Sequence, residues 1–122
     1  MKGENITDCE LLVMKILWDT TEELSLPGIV DAVNTAFDRT WKPQTVSTFL
    51  ARLVRKGYLD MVRKGRLFIY YPKVSKKEYA TIVIGNYVEF YCENDASRIV
   101  ENMMDVRKLT KDESEKIKAL IG

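Results

Sequence analysis

The residues best suited to binding another molecule lie in one stretch, WKPQTVSTFLARLVRKGYL, at positions 41–59. Its apolar residues recur at helical spacing and predict an amphipathic helix packed on a core: Val46, Phe49, Leu50, Leu53 and Val54. The opposite face begins with amide and hydroxyl side chains and then becomes basic: Gln44, Thr45, Ser47, Thr48, Ala51, Arg52 and Arg55. Because the stretch contains no Asp or Glu, this face is suited to a negatively charged partner.

Charge is unevenly distributed along the chain, although the 122 residues together carry a formal net charge of only +1. Residues 39–77 contain six lysines and five arginines against one acid, Asp60, whereas residues 1–38 and 78–122 are acidic. A basic centre of this kind indicates a surface for a polyanion, since neutralising phosphates supplies the sequence-independent part of nucleic-acid affinity.

The sequence has no pattern typical of an enzyme or a metal site. It contains no histidine, which excludes Ser-His-Asp and Cys-His catalysis, and no glycine-rich phosphate loop. Cys9 and Cys92 are far apart and lack the Cys or His neighbours of a metal site. We therefore expect no catalysis, no metal and no cofactor. The N-terminus lacks the apolar region of a signal peptide, and no apolar run is long enough to span a membrane, so we expect a cytoplasmic protein.

Start and stop signals predict three helices in the first half of the chain. Thr7 and Glu10 form a capping box for a helix over residues 8–19, and Ser25 precedes a second helix with a proline in its first turn. Pro43 opens the third helix, and Gly57 closes it, because glycine readily adopts the left-handed conformation found after helix C-termini.

Two short β-prone runs, residues 58–62 and 67–71, follow Gly57 and are joined by a basic turn of sequence RKGR. Three helices followed by a basic hairpin is the element order of a winged helix-turn-helix. The predicted fold is mainly α (α+β), with a winged-helix DNA-binding domain over residues 1–73 and a helical dimerisation region over residues 74–122.

In this fold the third helix would enter the major groove of double-stranded DNA. Its uncharged side chains would contact bases, the polar ones by hydrogen bonds and Ala51 by touching a thymine methyl: Gln44, Thr45, Ser47, Thr48 and Ala51. The cations at the end of the helix and on the hairpin would contact phosphates: Arg52, Arg55, Arg63, Lys64 and Arg66.

The region after residue 78 holds more apolar side chains than one core-facing stripe requires. From Tyr79 to Cys92, ten of fourteen residues are apolar or aromatic, so this helix is expected to bury one side against a second copy of the chain. Two further helices are predicted, the last opened by a capping box of Thr110 and Glu113. The predicted dimerisation residues are Tyr79, Ile82, Val83, Tyr87, Phe90, Ile99, Met103, Ile117 and Leu120.

Three segments together resemble the BlaI/MecI penicillinase-repressor family: ITDCELLVMKILW, WKPQTVSTFLARLVRKGYL and KGRLFIYYPKVSKKEY. The resemblance spans nearly the whole chain and implies a dimeric repressor that binds a palindromic operator. It also implies a membrane-bound sensor-transducer with a metalloprotease domain, which relieves repression by causing cleavage in the repressor's tail. The family's scissile bond follows an Asn and precedes a large apolar residue, usually Phe, which corresponds here to Asn102 and Met103. Resistance to β-lactams is the best-known output of the family.

Two other functions fit the same elements. A small-molecule effector bound between the domain and the tail would control operator affinity without proteolysis. A winged-helix module could instead bind protein through its third helix, although the basic segment over residues 39–77 favours DNA.

Overall fold

The computed structural model describes residues 5–122, in which three helices precede a two-stranded sheet and three more helices. The elements are α1 (Asp8–Asp19), α2 (Leu26–Phe37), α3 (Pro43–Arg55), β1 (Leu59–Lys64), β2 (Leu67–Pro72), α4 (Lys76–Tyr91), α5 (Ala96–Val106) and α6 (Lys111–Ile121). This confirms the predicted winged helix and helical tail. The chain divides into two compact units, the first ending at Ile82 and the second running from Val83 to Gly122.

The predicted helix signals lie where the helices begin and end. At the start of α1, the Thr7 amide donates to Glu10 Oε1 at 3.0 Å and the Glu10 amide to Thr7 Oγ1 at 3.2 Å, which confirms the capping box. Ser25 occupies the N-cap of α2, but its side chain makes no capping hydrogen bond. At the end of α3, Gly57 has a φ of +86° and the amide of Tyr58 donates to the carbonyl of Leu53 at 2.9 Å. This Schellman arrangement ends the helix and turns the chain into the wing.

The core of the first unit is formed by all three helices and the base of the wing. Ten apolar side chains in it are at most 7% exposed: Val13, Met14, Leu17, Ile29, Val33, Val46, Leu50, Leu53, Tyr58 and Leu59. Three of these are the central residues of the apolar stripe on α3. The core therefore fixes which face of α3 points outward.

β1 and β2 form the wing, an antiparallel hairpin in which Lys64 pairs with Leu67 across a turn of Gly65 and Arg66. Gly65 has a φ of +63°, the conformation expected at the first position of a tight hairpin turn. The amide of Tyr70 donates to the carbonyl of Leu24 at 3.4 Å, so the loop between α1 and α2 lies along the free edge of β2.

The start of α4 packs on the first unit. Trp18 Nε1 donates to the carbonyl of Val74 at 2.9 Å, and the ring of Tyr79 lies 5.6 Å from that of Trp18 and 6.0 Å from that of Tyr58. Ser75 and Glu78 form a capping box that the sequence analysis missed. These contacts group residues 74–82 with the winged helix, and the functional boundary after Lys73 stays a prediction.

The second unit contains the end of α4, α5 and α6. The predicted capping box of Thr110 and Glu113 opens α6. Within residues 83–122 only Cys92 is buried, whereas large apolar side chains such as Phe90 and Leu120 are 78% and 83% exposed. Among the helices of residues 5–122, none is long and apolar enough to cross a membrane.

Candidate nucleic-acid interface

The polar face of α3 is exposed along its whole length. All seven predicted residues on it are solvent-accessible: Gln44, Thr45, Ser47, Thr48, Ala51, Arg52 and Arg55. Three residues of the opposite stripe, Val46, Leu50 and Leu53, are fully buried. The structure thus brings the predicted base-contacting residues together on one surface.

The Thr48 hydroxyl can form fewer kinds of hydrogen bond with DNA than the sequence indicated. Its hydroxyl donates to the carbonyl of Gln44 at 3.0 Å, one helical turn earlier. While this bond persists, the Thr48 oxygen has only lone pairs to offer, so it would accept from the amino group of adenine or cytosine. The Gln44 side chain keeps both a donor and an acceptor.

The entry into α3 is held by Asn34, a residue that the sequence analysis did not single out. Its Nδ2 donates to the carbonyl of Trp41 at 2.9 Å, and its Oδ1 accepts from the amide of Trp41 at 3.0 Å. The Trp41 ring in turn packs edge-on against Phe49 of α3 at 5.1 Å. A side-chain amide is needed here because it supplies one donor and one acceptor to the same backbone. The turn between α2 and α3 is therefore fixed at both ends.

The other end of α3 is held by a buried ion pair. Lys56 Nζ lies 2.7 Å from Oε1 of Glu10, which is fully buried in α1, and also donates to the carbonyl of Asn5 at 2.8 Å. Burial alone raises the pKa of the Glu10 carboxyl, but hydrogen bonds from Lys56 and Thr7 outweigh it and hold the pKa below its ordinary value. Lys56 is thus committed to the scaffold, which leaves the phosphate role to other cations.

The three predicted cations of the wing are in different environments. Arg66 lies in the exposed turn and has no acidic partner within residues 5–122. Arg63 Nε donates to the carbonyl of Gly65 at 3.0 Å, and its guanidinium lies 6.0 Å from the centre of the Phe68 ring. Lys64, in contrast, is paired with the carboxylate of Glu23.

The Glu23 carboxylate accepts hydrogen bonds from Lys64 Nζ and from the Tyr71 hydroxyl, and both reach the same oxygen. These hydrogen bonds lower the pKa of Glu23 and raise that of Lys64. This cluster is not predictable from local sequence patterns, because Glu23 is 41 residues from Lys64.

The predicted dimerisation residues differ in exposure. Tyr79 packs in the first unit, so its ring already has intramolecular partners. Val83 and Phe90 are exposed, and the remainder of the set ranges from half-buried to exposed: Ile82, Tyr87, Ile99, Met103, Ile117 and Leu120. In the second unit, α4 and α5 border an apolar groove lined by Val83, Ile84, Tyr87, Ile99, Asn102, Met103 and Val106.

The predicted cleavage site lies inside α5. Asn102 and Met103 are both exposed, and Asn102 Nδ2 donates to the hydroxyl of Tyr87 at 3.2 Å. The bond between them is therefore on the surface but in helical conformation.

Comparison with known proteins identifies the family. The penicillinase repressor family model matches residues 6–122. The penicillinase repressor of Bacillus licheniformis is 29% identical over 92% of this chain and 85% of its own length, and the methicillin resistance regulatory protein MecI of Mammaliicoccus sciuri is 25% identical over 99% and 96%.

Two solved structures resemble part of the chain. The DNA-binding domain of the repressor BlaI aligns over 64% of this chain and 92% of its own, with a TM-score of 0.54 and 32% identity. The monomeric form of BlaI of Bacillus licheniformis in complex with the blaP half-operator aligns over the same shares with a TM-score of 0.53 and 33% identity. The chain therefore belongs to the penicillinase repressor family and is a DNA-binding repressor rather than an enzyme.

Proposed function

We propose that the chain represses transcription as a homodimer bound to a palindromic DNA operator. The observation that carries this proposal is the outward face of α3, an exposed polar and basic surface set on a buried apolar stripe. A helix with these properties fits the major groove, and its short side chains allow the backbone to approach the bases. The solved complex of BlaI with a half-operator supports the same use of a related winged helix.

The contacts divide between bases and phosphates. Gln44 would bind adenine through both its amide atoms, and Ala51 would touch a thymine methyl. Thr45 and Ser47 would contact base edges or phosphates, whereas Thr48 would accept a hydrogen bond from a base amino group. Phosphates would be bound by Arg52 and Arg55 at the end of α3 and by Arg63, Lys64 and Arg66 of the wing.

Dimerisation is supported by the apolar surface of the second unit. Its helices expose Phe90, Val106 and Leu120 by more than three quarters of their area. Exposed apolar side chains in this number favour an interface, and a two-fold partner would cover the same residues on both chains. Two linked winged helices would then bind two half-sites at once.

Relief of repression would follow cleavage between Asn102 and Met103 by a membrane-bound sensor-transducer metalloprotease. The bond lies within α5, and proteases cut locally opened chain far more readily than intact helix. The step therefore requires part of α5 to unwind, which breaks the hydrogen bond from Asn102 to Tyr87.

Footprinting on genomic DNA tests the proposed operator. We expect protection of two half-sites related by a dyad, with centres about 10 bp apart or a multiple of this, because the two-fold axis of the dimer sets their spacing. Single half-sites bound equally well by a monomer would contradict the dimer. Failure to bind any duplex would favour a protein-interaction module, and release by a small ligand without cleavage would favour an effector.

A further inference from the structure

The wing contains one lysine whose charge is already compensated before DNA arrives. Lys64, on β1, is paired with the carboxylate of Glu23, which also accepts a hydrogen bond from Tyr71 on β2. Lys64 Nζ further lies 5.8 Å from the centre of the Tyr71 ring. The three side chains form a cluster on one face of the hairpin, since Lys64 and Tyr71 occupy positions of the same face in the register.

Glu23 is held in this position by the fold. The neighbouring residue Leu24 accepts a backbone hydrogen bond from Tyr70 at 3.4 Å, which places the loop before α2 beside β2. Two donors then bind the same Glu23 oxygen, one of them from each strand of the wing. Since the pair is about half-exposed, the attraction between its charges is screened, and an arriving phosphate would compete with Glu23 for Lys64.

We propose that Glu23 limits the affinity of the repressor for DNA by engaging Lys64 of the wing. This inference rests on the proposed DNA-binding function and assigns a role to an acidic residue within it. In the free protein Lys64 is bound to Glu23, whereas Arg66 has no acidic partner within the described chain. A phosphate that binds Lys64 must displace Glu23 or share the lysine with it, and the net gain from that contact is reduced accordingly.

The test compares two neutralising substitutions in the full-length chain, Glu23→Gln and Glu22→Gln. The substitutions remove the same charge at adjacent positions, but Glu22 has no ion-pair partner within residues 5–122. The Glu22 variant is therefore the control that measures the general effect of charge near the wing. Binding to a duplex of unrelated sequence is measured by fluorescence anisotropy at salt concentrations from roughly 50 to 200 mM. Circular dichroism checks that both variants fold.

We expect Glu23→Gln to bind the unrelated duplex several times more tightly than Glu22→Gln. Its salt dependence should be steeper by about 0.9 per subunit, because a phosphate that binds Lys64 then no longer frees the Glu23 carboxylate to take up a salt cation. Adding Lys64→Gln to Glu23→Gln should remove the extra slope, because the effect of Glu23 on DNA binding acts through the charge of Lys64.

Equal affinities and slopes for the Glu23 and Glu22 variants would overturn the proposal. Weaker binding by Glu23→Gln would also overturn it and would mean that Glu23 instead holds the wing in a DNA-binding position. If the unsubstituted chain bound no duplex at any salt concentration, the DNA-binding function itself would fail, and that result is distinct from the other two.

Discussion

The two units of the chain differ in how completely they bury their own apolar residues. In the first unit, three helices and the base of the wing enclose ten core side chains that are at most 7% exposed. In the second, only Cys92 is buried, while Phe90, Leu120 and Ile121 are 78%, 83% and 82% exposed. The first unit encloses a core and leaves large apolar side chains exposed on the wing, at Met61, Val62, Leu67 and Phe68, whereas the second unit exposes most of its large apolar side chains and buries only Cys92.

The difference has a simple origin in size and sequence. The second unit has 40 residues, close to the lower limit at which a chain encloses a core without disulfides, metals or association. Its segment of α4 carries apolar side chains on more than one side, and α5 and α6 are each only 11 residues long. A second copy, as proposed above, would cover apolar side chains that these 40 residues leave exposed.

The largest expected effect is from removing the end of the tail. A chain ending at Asn102 loses the exposed apolar residues of α6, including Leu120 and Ile121, and should be mostly monomeric. Two winged-helix domains linked in a dimer bind two half-sites on the order of 10² to 10⁴ more tightly than separate domains do. The affinity for the operator should therefore fall by that factor. Sedimentation and gel-shift assays measure both quantities. A stable dimer with full operator affinity would contradict this mechanism.

Two matched leucine substitutions test whether the leucines of the two units stabilise different things, the fold of the first unit and the proposed dimer. Leu50→Ala removes a fully buried side chain of α3 and should lower the free energy of unfolding of the first unit by about 2 to 5 kcal/mol. Leu120→Ala removes an exposed side chain, so it should leave that unit unchanged and weaken only the dimer. Chemical denaturation followed at several protein concentrations distinguishes these effects. Equal destabilisation by the two substitutions would mean that the units fold as one.

The third prediction concerns the polar surface of the first unit. Gln44→Ala should weaken specific binding by about 1 to 3 kcal/mol and leave binding to unrelated DNA nearly unchanged, because its amide would contact a base. Thr48→Ala should behave in the same way. Arg66→Ala should weaken both kinds of binding and reduce the salt slope by about 1, as for one lost phosphate contact. An unchanged slope for the Arg66 variant would exclude that role.

The sequence predicted those features of the fold that depend on local patterns. The bounds of α1, the Gly57 terminator, the turn at Gly65 and the outward face of α3 all follow from spacing and turn chemistry within a few residues. The tertiary hydrogen bonds were not predictable in this way. Asn34 reads as an ordinary polar position of a surface helix, and the pair of Glu10 with Lys56 joins residues 46 apart. The packing of Tyr79 on Trp18 likewise leaves no trace in helical spacing, and the dimer contact of Tyr79 stays a prediction.

Each unit has a capping box whose glutamate also pairs with a basic side chain, so the two ion pairs can be compared. In the first unit, Glu10 caps α1 and pairs with Lys56 in the interior, whereas Glu113 caps α6 and pairs with Arg107 on the surface. Glu10→Gln should lower the free energy of unfolding by about 2 kcal/mol, since the neutral amide leaves the Lys56 ammonium without its buried counter-charge. Thermal denaturation measures this loss, and an unchanged melting temperature would mean that the pair contributes nothing net.

The Glu10 pair also predicts an acid dependence for the first unit. The pKa of Glu10 is lower in the folded than in the unfolded chain, so the folded state binds fewer protons. Its contribution to stability should be complete above the ordinary carboxyl value of about 4.5 and should be lost as the pH falls through the folded pKa. Denaturation of the unsubstituted chain and of Glu10→Gln at decreasing pH should therefore converge. A constant difference between them would contradict the linkage.

The smallest expected effect is in the tail, where the same capping motif is exposed to solvent. The two guanidinium nitrogens of Arg107 bind the Glu113 carboxylate at 2.8 and 2.7 Å, and the Thr110 amide donates to it at 2.9 Å. These contacts lower the pKa of Glu113 to about 2, with Arg107 the largest cause. Their small contribution to the stability of α6 should be complete above about 4.5 and lost between there and about 2. An NMR titration of the Glu113 carboxyl carbon measures the midpoint. Arg107→Gln should raise this midpoint towards the ordinary value, and a midpoint already near that value in the unsubstituted chain would show that the ion pair is not formed in solution.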